Sequence, residues 1–377
     1  MGIYLDNAAA TQLDPVVLES MLPYMTQLCG NPSAIHRYGS HAKAAIEKAR
    51  KKIAHLFQVA PSEILFTSGG SEGNNMLLLG SIEAMAIKQV LTSPLEHLSV
   101  RMPLEKLAQQ GKINLCYAPV NQQGEIILDG VEAWLKQHDH ALLSFMEVNH
   151  EIGNVTDLQT IGALCDKYHA ILHTDTIQSL YCYTHHFTSL PIHFAVGSAH
   201  KIHGPKGIGF VYIDPKVSIM PLIYGGGQEL NQRGGTENVA SIVGMATALE
   251  IAFRDNIAIV NHLSMIKQHM IEQLKLHMPS VVFNGTSESL CLTKSSPTLL
   301  SISLPTCQSN EMLIYNLDIE GIAASTGSAC SSGSHIGSAV IAALQKENNQ
   351  ALRFSFSKYT TKAEIEETVQ KLVQLCA

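Results

Sequence analysis

The sequence predicts an α/β fold: a mostly parallel sheet in a large domain, accompanied by a smaller α+β domain. Two observations predict it. Short apolar, β-branched runs alternate with helix-period stretches through most of the 377 residues, and those runs show little of the in–out alternation of a half-exposed strand. Beyond about residue 255 the rhythm changes to a few strands interspersed with helices, the pattern of a second, smaller unit. The expected division is therefore a large domain over 15–255 and a small one built from 1–14 and 256–377.

In chain order, Glu63–Thr67, Gln89–Thr92, Ile113–Ala118, Ala141–Glu147, Ala170–Thr174, Phe194–Ser198 and Gly207–Ile213 read as the strands of the large sheet. Between them Ser40–Gln58, Glu72–Ala86, His97–Gln110 and Leu158–Tyr168 read as helices. A long helical pattern runs from Glu237 to Leu276 with a break near Asn256. Val281–Phe283, Thr298–Ser303 and Leu352–Phe356 then read as a smaller sheet, with helices at Gln308–Asp318, Gly337–Leu344 and Lys362–Leu375.

Composition narrows the function. A 46% hydrophobic chain of this length can bury a sizeable core. The net charge of −7, with no basic stripe interleaved with aromatics, argues against nucleic acid. The apolar runs fall far short of the roughly 20 residues that span a bilayer, and the first ten residues lack the basic-then-apolar pattern of a signal peptide. The eight cysteines form no C-x-x-C pair, so no metal is expected and a reduced, cytoplasmic protein is.

Four segments carry chemistry. Thr67-Ser68-Gly69-Gly70-Ser71-Glu72 follows a strand and opens a helix, where small residues let backbone amides approach an anion; alone it is equally well a capped helix start. His173-Thr174-Asp175-Thr176-Ile177-Gln178 puts a carboxylate at the carboxyl end of a strand, where α/β sheets bind ligands and where a pyridine nitrogen could be kept protonated; alone, Asp175 is better read as a helix cap. In Gly197-Ser198-Ala199-His200-Lys201 a lysine sits among small and polar residues just after an apolar strand, unlike a solvated surface lysine. Burial and nearby cations there would favour the neutral amine that imine formation requires. Finally, Gly225–Glu229 and Arg233-Gly234-Gly235-Thr236-Glu237-Asn238 form a glycine-rich loop ahead of a long helix, placing a hydroxyl near free amides.

Together these segments resemble the class V aminotransferase group of fold-type I pyridoxal-phosphate enzymes, and most closely the cysteine desulfurases. The similarity runs from Tyr4-Leu5-Asp6-Asn7-Ala8-Ala9-Ala10-Thr11 to Arg353-Phe354-Ser355, and takes in Gly30-Asn31-Pro32-Ser33, Glu96-His97 and Gly327-Ser328-Ala329-Cys330. The resemblance implies pyridoxal 5′-phosphate bound through Lys201, with Asp175 on its ring nitrogen, His97 stacked on the ring, and Gln178 on its phenolic oxygen. Gly70, Ser71, Ser198 and His200 would hold the phosphate, with Thr236 reaching across from the second subunit of a homodimer. Arg353 would hold the substrate carboxylate, a task suited to the guanidinium fork, with Asn7 assisting.

The implied reaction converts L-cysteine to L-alanine and leaves sulfur on Cys330 as a persulfide, for delivery to an acceptor protein in iron–sulfur cluster assembly or another sulfur pathway. Small polar residues surround Cys330, unlike the apolar setting of a structural cysteine, and such a composition suits a tether that attacks inside a pocket and delivers outside. Selenocysteine lyase, another class V enzyme, or a slow sulfur-relay module are the competing readings. The sequence departs from the family at three places. His150 stands where a second Asn normally contacts the cofactor's phenolic oxygen, and Gly70-Ser71 stands where Ala-Thr is common. The chain also ends at Ala377, whereas housekeeping members continue into a tail that docks a scaffold protein.

Overall fold

A computed structural model describes residues 2–304, 310–326, 338–344 and 351–376. The chain opens with a short strand β1 (Ile3–Tyr4), then α1 (Pro15–Thr26) and α2 (Arg37–Phe57). Helix α1 starts where Asp14 accepts a hydrogen bond from Val16 N at 2.8 Å and Pro15 supplies a pre-set φ. Strand β2 (Ile64–Thr67), α3 (Gly70–Ala84), β3 (Gln89–Thr92), α4 (Leu98–Gln109), β4 (Asn114–Tyr117), α5 (Leu128–Leu135), β5 (Ala141–Ser144), α6 (Leu158–Lys167) and β6 (Ile171–Asp175) follow. Then come β7 (Phe194–Ser198), β8 (Gly209–Ile213), α7 (Val239–Arg254) and α8 (Asn256–His277). The last part comprises β9 (Val282–Phe283), β10 (Leu299–Ser303), α9 (Asn310–Ile319), β11 (Ile322–Ala323), α10 (Ala339–Ala343), β12 (Leu352–Ser355) and α11 (Lys362–Cys376).

Seven strands form one sheet in the order β2-β8-β7-β6-β5-β3-β4, parallel throughout except at β8, which runs against both neighbours. The predicted mostly parallel sheet is thus present. Successive residues of its strands face opposite layers: Leu65, Val90, Leu142 and Ile171 pack with α3 and α4 residues such as Leu77 and Leu104. Phe66, Leu91, Leu143 and Leu172 face the other layer, with Ile46, Ile161 and Leu249. Both faces are covered, which is why the strands read as unbroken apolar runs.

A second, antiparallel sheet β12-β10-β9 shares an apolar core with α8 and α11 through residues such as Leu300, Phe354, Ile266 and Ile365, and β1 pairs in parallel with β11, Ile3 opposite Ile322. The amino-terminal segment therefore lies against the carboxyl-terminal elements before the chain enters α1. The long helical pattern is two helices meeting at Asp255–Asn256, as the break near Asn256 predicted.

Three departures are physical. The run 141–147 stops pairing regularly at Ser144, because beyond it Met146 N donates to the Glu96 side chain at 2.9 Å instead of to a neighbouring strand. The strands β1 and β11, two residues each, are too short to show a period. Cys29, Cys116, Cys165, Cys182 and Cys291 are free thiols but Cys376 is disulfide-bonded, so the expectation of a wholly reduced chain is corrected there. Among the described residues no helix is long and apolar enough to cross a membrane, and no group of metal-binding side chains occurs.

Candidate active site

The carboxyl ends of β2, β6 and β7 deliver the first side chains. Asp175 closes β6 and is buried; its Oδ1 accepts from Ile177 N at 3.0 Å and its Oδ2 from Asn74 Nδ2 at 2.8 Å. Beyond β7, Ser198 Oγ and His200 Nδ1 lie 2.9 Å apart. Burial, with Lys201 and Lys206 adding repulsion, pushes the His200 imidazole down to about 4. Lys201 follows, half-buried, with Nζ donating to the carbonyls of Ala8 and, at 2.8 Å, Ala9. Gln178 Nε2 donates to the same Ala8 carbonyl at 3.0 Å. The amino-terminal segment thus brackets Lys201, and Thr11 fixes it further by accepting from His203 N and donating to His200 O.

Beside Lys201, β2 runs through Ser68 and Gly69 into the first turn of α3. Gly69 has φ +150°, and a Cβ built on Gly70 would stand 2.1 Å from Ile177 Cδ1 and 3.9 Å from Ser198 Cβ. The glycine pair and Ser198 are therefore neighbours, and the first-turn amides of α3, which have no acceptor within the helix, open beside the Ser198–His200 pair. Ser71 is exposed on that turn. Glu72 ties the turn to the glycine-rich loop through Arg233 Nε at 2.8 Å. Thr236 is exposed on that loop; α7 is capped by Asn238 and starts at Val239, so Thr236 precedes the helix rather than opening it.

His97 is the N-cap of α4, its Nδ1 accepting from Ser99 N at 3.1 Å. Its ring meets that of His150 edge-on, 5.2 Å between centroids. His150 Nε2 is 3.6 Å from a Glu151 oxygen, too long for a hydrogen bond, and Nδ1 is buried with no partner among the described residues. Burial first, then the positive charge of His97, Arg353 and Lys201, holds the His150 imidazole well below its usual range. The His150 carbonyl accepts from Arg353 Nη1 at 2.8 Å, while Nη2 binds Asp6 at 2.9 Å. Arg353, expected as a free clamp, is already held by Asp6. Asn7 donates to the carbonyls of Ser355 at 2.9 Å and Tyr4 at 3.3 Å; both donors serve the backbone, so only its carbonyl oxygen remains for a ligand.

The contacts join six of the expected residues in two chains: Arg353, His150, His97 and Asp175, through Ser99 and Asn74, on one side, and Lys201 and Gln178, through the Ala8 carbonyl, on the other. Cys330 lies outside the described residues. The described residues before and after it nonetheless belong to this site. Ser325 exchanges backbone hydrogen bonds with Arg353, at 2.7 and 3.2 Å, and Ser338 donates to Glu151 beside His150. Sequence reading missed Asp6, Asn74, Ser99 and Glu151. Asp6 and Glu151 stand beside recognised residues, but only the folded chain shows what Asn74 and Ser99 touch.

The family model described as aminotransferase class-V matches residues 3–368. The cysteine desulfurase IscS of Dictyoglomus turgidum is 35% identical, covering 99% of this chain and 94% of its own. The mitosomal cysteine desulfurase of Encephalitozoon cuniculi is 34% identical, covering 99% and 86%. Among solved structures, a NifS-like protein superposes with a TM-score of 0.90 at 32% identity over 99% of both chains. A structure described as SspA in complex with cysteine gives 0.79 at 29%, over 95% and 100%. Full-length likeness of this kind places the chain in the class V aminotransferase family, among its cysteine desulfurases.

Proposed function

We propose that this enzyme uses pyridoxal phosphate to convert L-cysteine to L-alanine, passing the sulfur to Cys330 as a persulfide. The observation that carries the reading is the convergence of Lys201, buried Asp175, the His97–His150 ring pair and Arg353 along one edge of the sheet. The residues present fit the cofactor. A glycine helix start beside a hydroxyl–imidazole pair suits a phosphate, a buried carboxylate suits a pyridinium nitrogen, and the partnerless His150 Nδ1 leaves a polar atom for a ring substituent.

In this proposal Gly70, Ser71, Ser198 and His200 hold the phosphate, Asp175 the ring nitrogen, and Gln178 and His150 the phenolic oxygen. Lys201 anchors the cofactor through Nζ and moves the substrate's α-proton. Bound there, the cofactor supplies an electron sink for the charge left at the α-carbon. Arg353 holds the substrate carboxylate with the donors left over by Asp6 and the His150 carbonyl, including Nε, which has no partner among the described residues, and Asn7 steadies the strand that carries it. The Cys330 thiolate attacks the substrate sulfur: an S–S bond forms, the Cβ–S bond breaks, and its electron pair takes a proton at carbon to give alanine. The anchoring of Ser325 and Ser338 at Arg353 and Glu151 supports that role for Cys330.

The division into domains 15–255 and 1–14 with 256–377 is part of the proposal, supported by the separate seven- and three-stranded sheets. So is a homodimer: Thr236 is exposed near Leu222, Ile223 and Tyr224, which are also exposed, as a loop completing a second subunit's phosphate site should be. A sulfur-acceptor protein, a role in iron–sulfur cluster assembly and a cytoplasmic location complete the reading. The test is production of alanine and sulfide from L-cysteine with a thiol reductant. Cys330→Ala should abolish sulfide while keeping the yellow cofactor; no sulfide from the parent enzyme would overturn the proposal, and L-selenocysteine in parallel distinguishes a lyase.

A further inference from the structure

His97 carries a proton on one ring nitrogen when neutral, and its surroundings choose which. Nδ1 faces two groups of Ser99: the backbone N–H at 3.1 Å and the hydroxyl oxygen at 2.7 Å. A backbone amide can only donate, so Nδ1 must accept. The hydroxyl is constrained as well. Its oxygen accepts from Asn74 Nδ2 at 2.8 Å, and because the amide fixes Nδ1 as an acceptor, it is the hydroxyl hydrogen that points at Nδ1. The same Asn74 nitrogen donates to Asp175 Oδ2 at 2.8 Å, so the arrangement is anchored on the carboxylate at the end of β6. Asn74 and Ser99 are both buried, and water does not readily substitute in such a network.

We propose that Ser99 is a positioning residue for the reaction: with its own backbone amide it locks neutral His97 as the Nε2–H tautomer, and through Asn74 it ties that choice to Asp175. The assignment rests on the desulfurase reading only for its consequence, since the tautomer is a property of the chain alone. Protonating Nδ1 would turn the ring N–H against the Ser99 amide and strand the hydroxyl hydrogen. Neutral His97 is therefore a donor from Nε2, with Nδ1 closed to proton exchange. A proton reaching or leaving His97 during turnover must then pass through Nε2.

The test uses the full chain labelled with 15N-histidine, with the His97 signals assigned by their absence in His97→Asn. In cofactor-free protein, neutral His97 should show a pyrrole-type Nε2 and a pyridine-type Nδ1. In Ser99→Ala the ratio of Nε2–H to Nδ1–H tautomer should fall about fivefold, the size one lost hydrogen bond sets, while Ser99→Thr, which keeps the hydroxyl, stays at the parent ratio. In the cofactor-loaded enzyme kcat should fall about as far in Ser99→Ala and not in Ser99→Thr. A pyrrole-type Nδ1 in the parent, or a tautomer ratio unchanged by Ser99→Ala, overturns the assignment. A parent enzyme that makes no sulfide while its tautomer is Nε2–H overturns the functional reading and leaves the tautomer standing.

Discussion

At the scale of single residues, His150 is the most informative side chain of the site. An imidazole at a position beside a lysine, an arginine and a second imidazole could have brought a titrating charge to the cofactor. The structure gives a reason that it does not: burial and the three positive neighbours hold it well below the ordinary histidine range, so the ring is neutral through pH 6–8 and can act only as a hydrogen-bonding group. His150→Asn should therefore alter the cofactor's absorbance maximum and change kcat by roughly two- to tenfold, the scale of one altered hydrogen bond. It should neither remove nor add a pH-dependent step between pH 6 and 8. Spectra and turnover recorded across that range check both halves. Glu151 next door shows the complementary effect, its carboxyl raised by burial even though Ser338, Arg353 and His97 pull the other way.

At the scale of elements, the phosphate cup shows how neighbouring segments trade volume. Gly70 opens α3, and the space a methyl group would take there is filled by the Cδ1 of Ile177, two residues past Asp175. Gly70→Ala is thus expected to displace Ile177 and weaken pyridoxal phosphate binding about tenfold, within the range overpacking imposes. Adding Ile177→Val, which removes the clashing carbon, should recover most of the loss. A spectrophotometric cofactor titration of both single variants and the double checks this, and equal losses in Gly70→Ala and the double variant would exclude the steric cause. The same trade shows why some of this molecule was legible in its sequence and some was not. Strands such as β5 and β6 are buried on both faces and announce themselves as apolar runs, and Lys201, Asp175 and His97 sit in local motifs at their ends. The partners of Arg353 are written nowhere near it: Asp6 lies 347 residues away and reaches it because the amino-terminal segment runs alongside β12, Asp6 bridging Ser355. The Ser99–Asn74–Asp175 bonds likewise join three separate elements, and no local period encodes that.

At the scale of the whole molecule, the many histidines of this chain become a statement about acid. His173, on β6, is fully buried and pushed down to about 3 by burial; His203 is pushed down to about 4 by burial, with the Lys358 charge assisting and the Gln12 carbonyl opposing. With His150 they stay neutral in the folded chain, yet once unfolded each takes up a proton near its ordinary value of about 6.5. The unfolded state then binds more protons, so stability must fall as pH drops from 6.5 toward the folded values. Glu96 and Glu151, both raised chiefly by burial, run the other way, because there the folded chain holds the proton. With His200, likewise pushed down by burial, four imidazoles stand against these two carboxyls, so unfolding takes up protons on balance as pH drops below 6.5. Below the ordinary carboxylate range the loss steepens. Glu147, which burial alone would raise, is held down by the His185 charge, and Asp14, likewise opposed by burial, by its bonds to Lys358 and Val16. Calorimetry at fixed excess cofactor, in buffers of different ionisation enthalpy, measures the uptake directly. The Tm should fall between pH 6.5 and 5, and His203→Gln, whose side chain does not titrate, should reduce the uptake by about one proton and flatten the fall. A Tm that holds or rises over that interval would mean that the buried carboxyls outweigh the buried imidazoles.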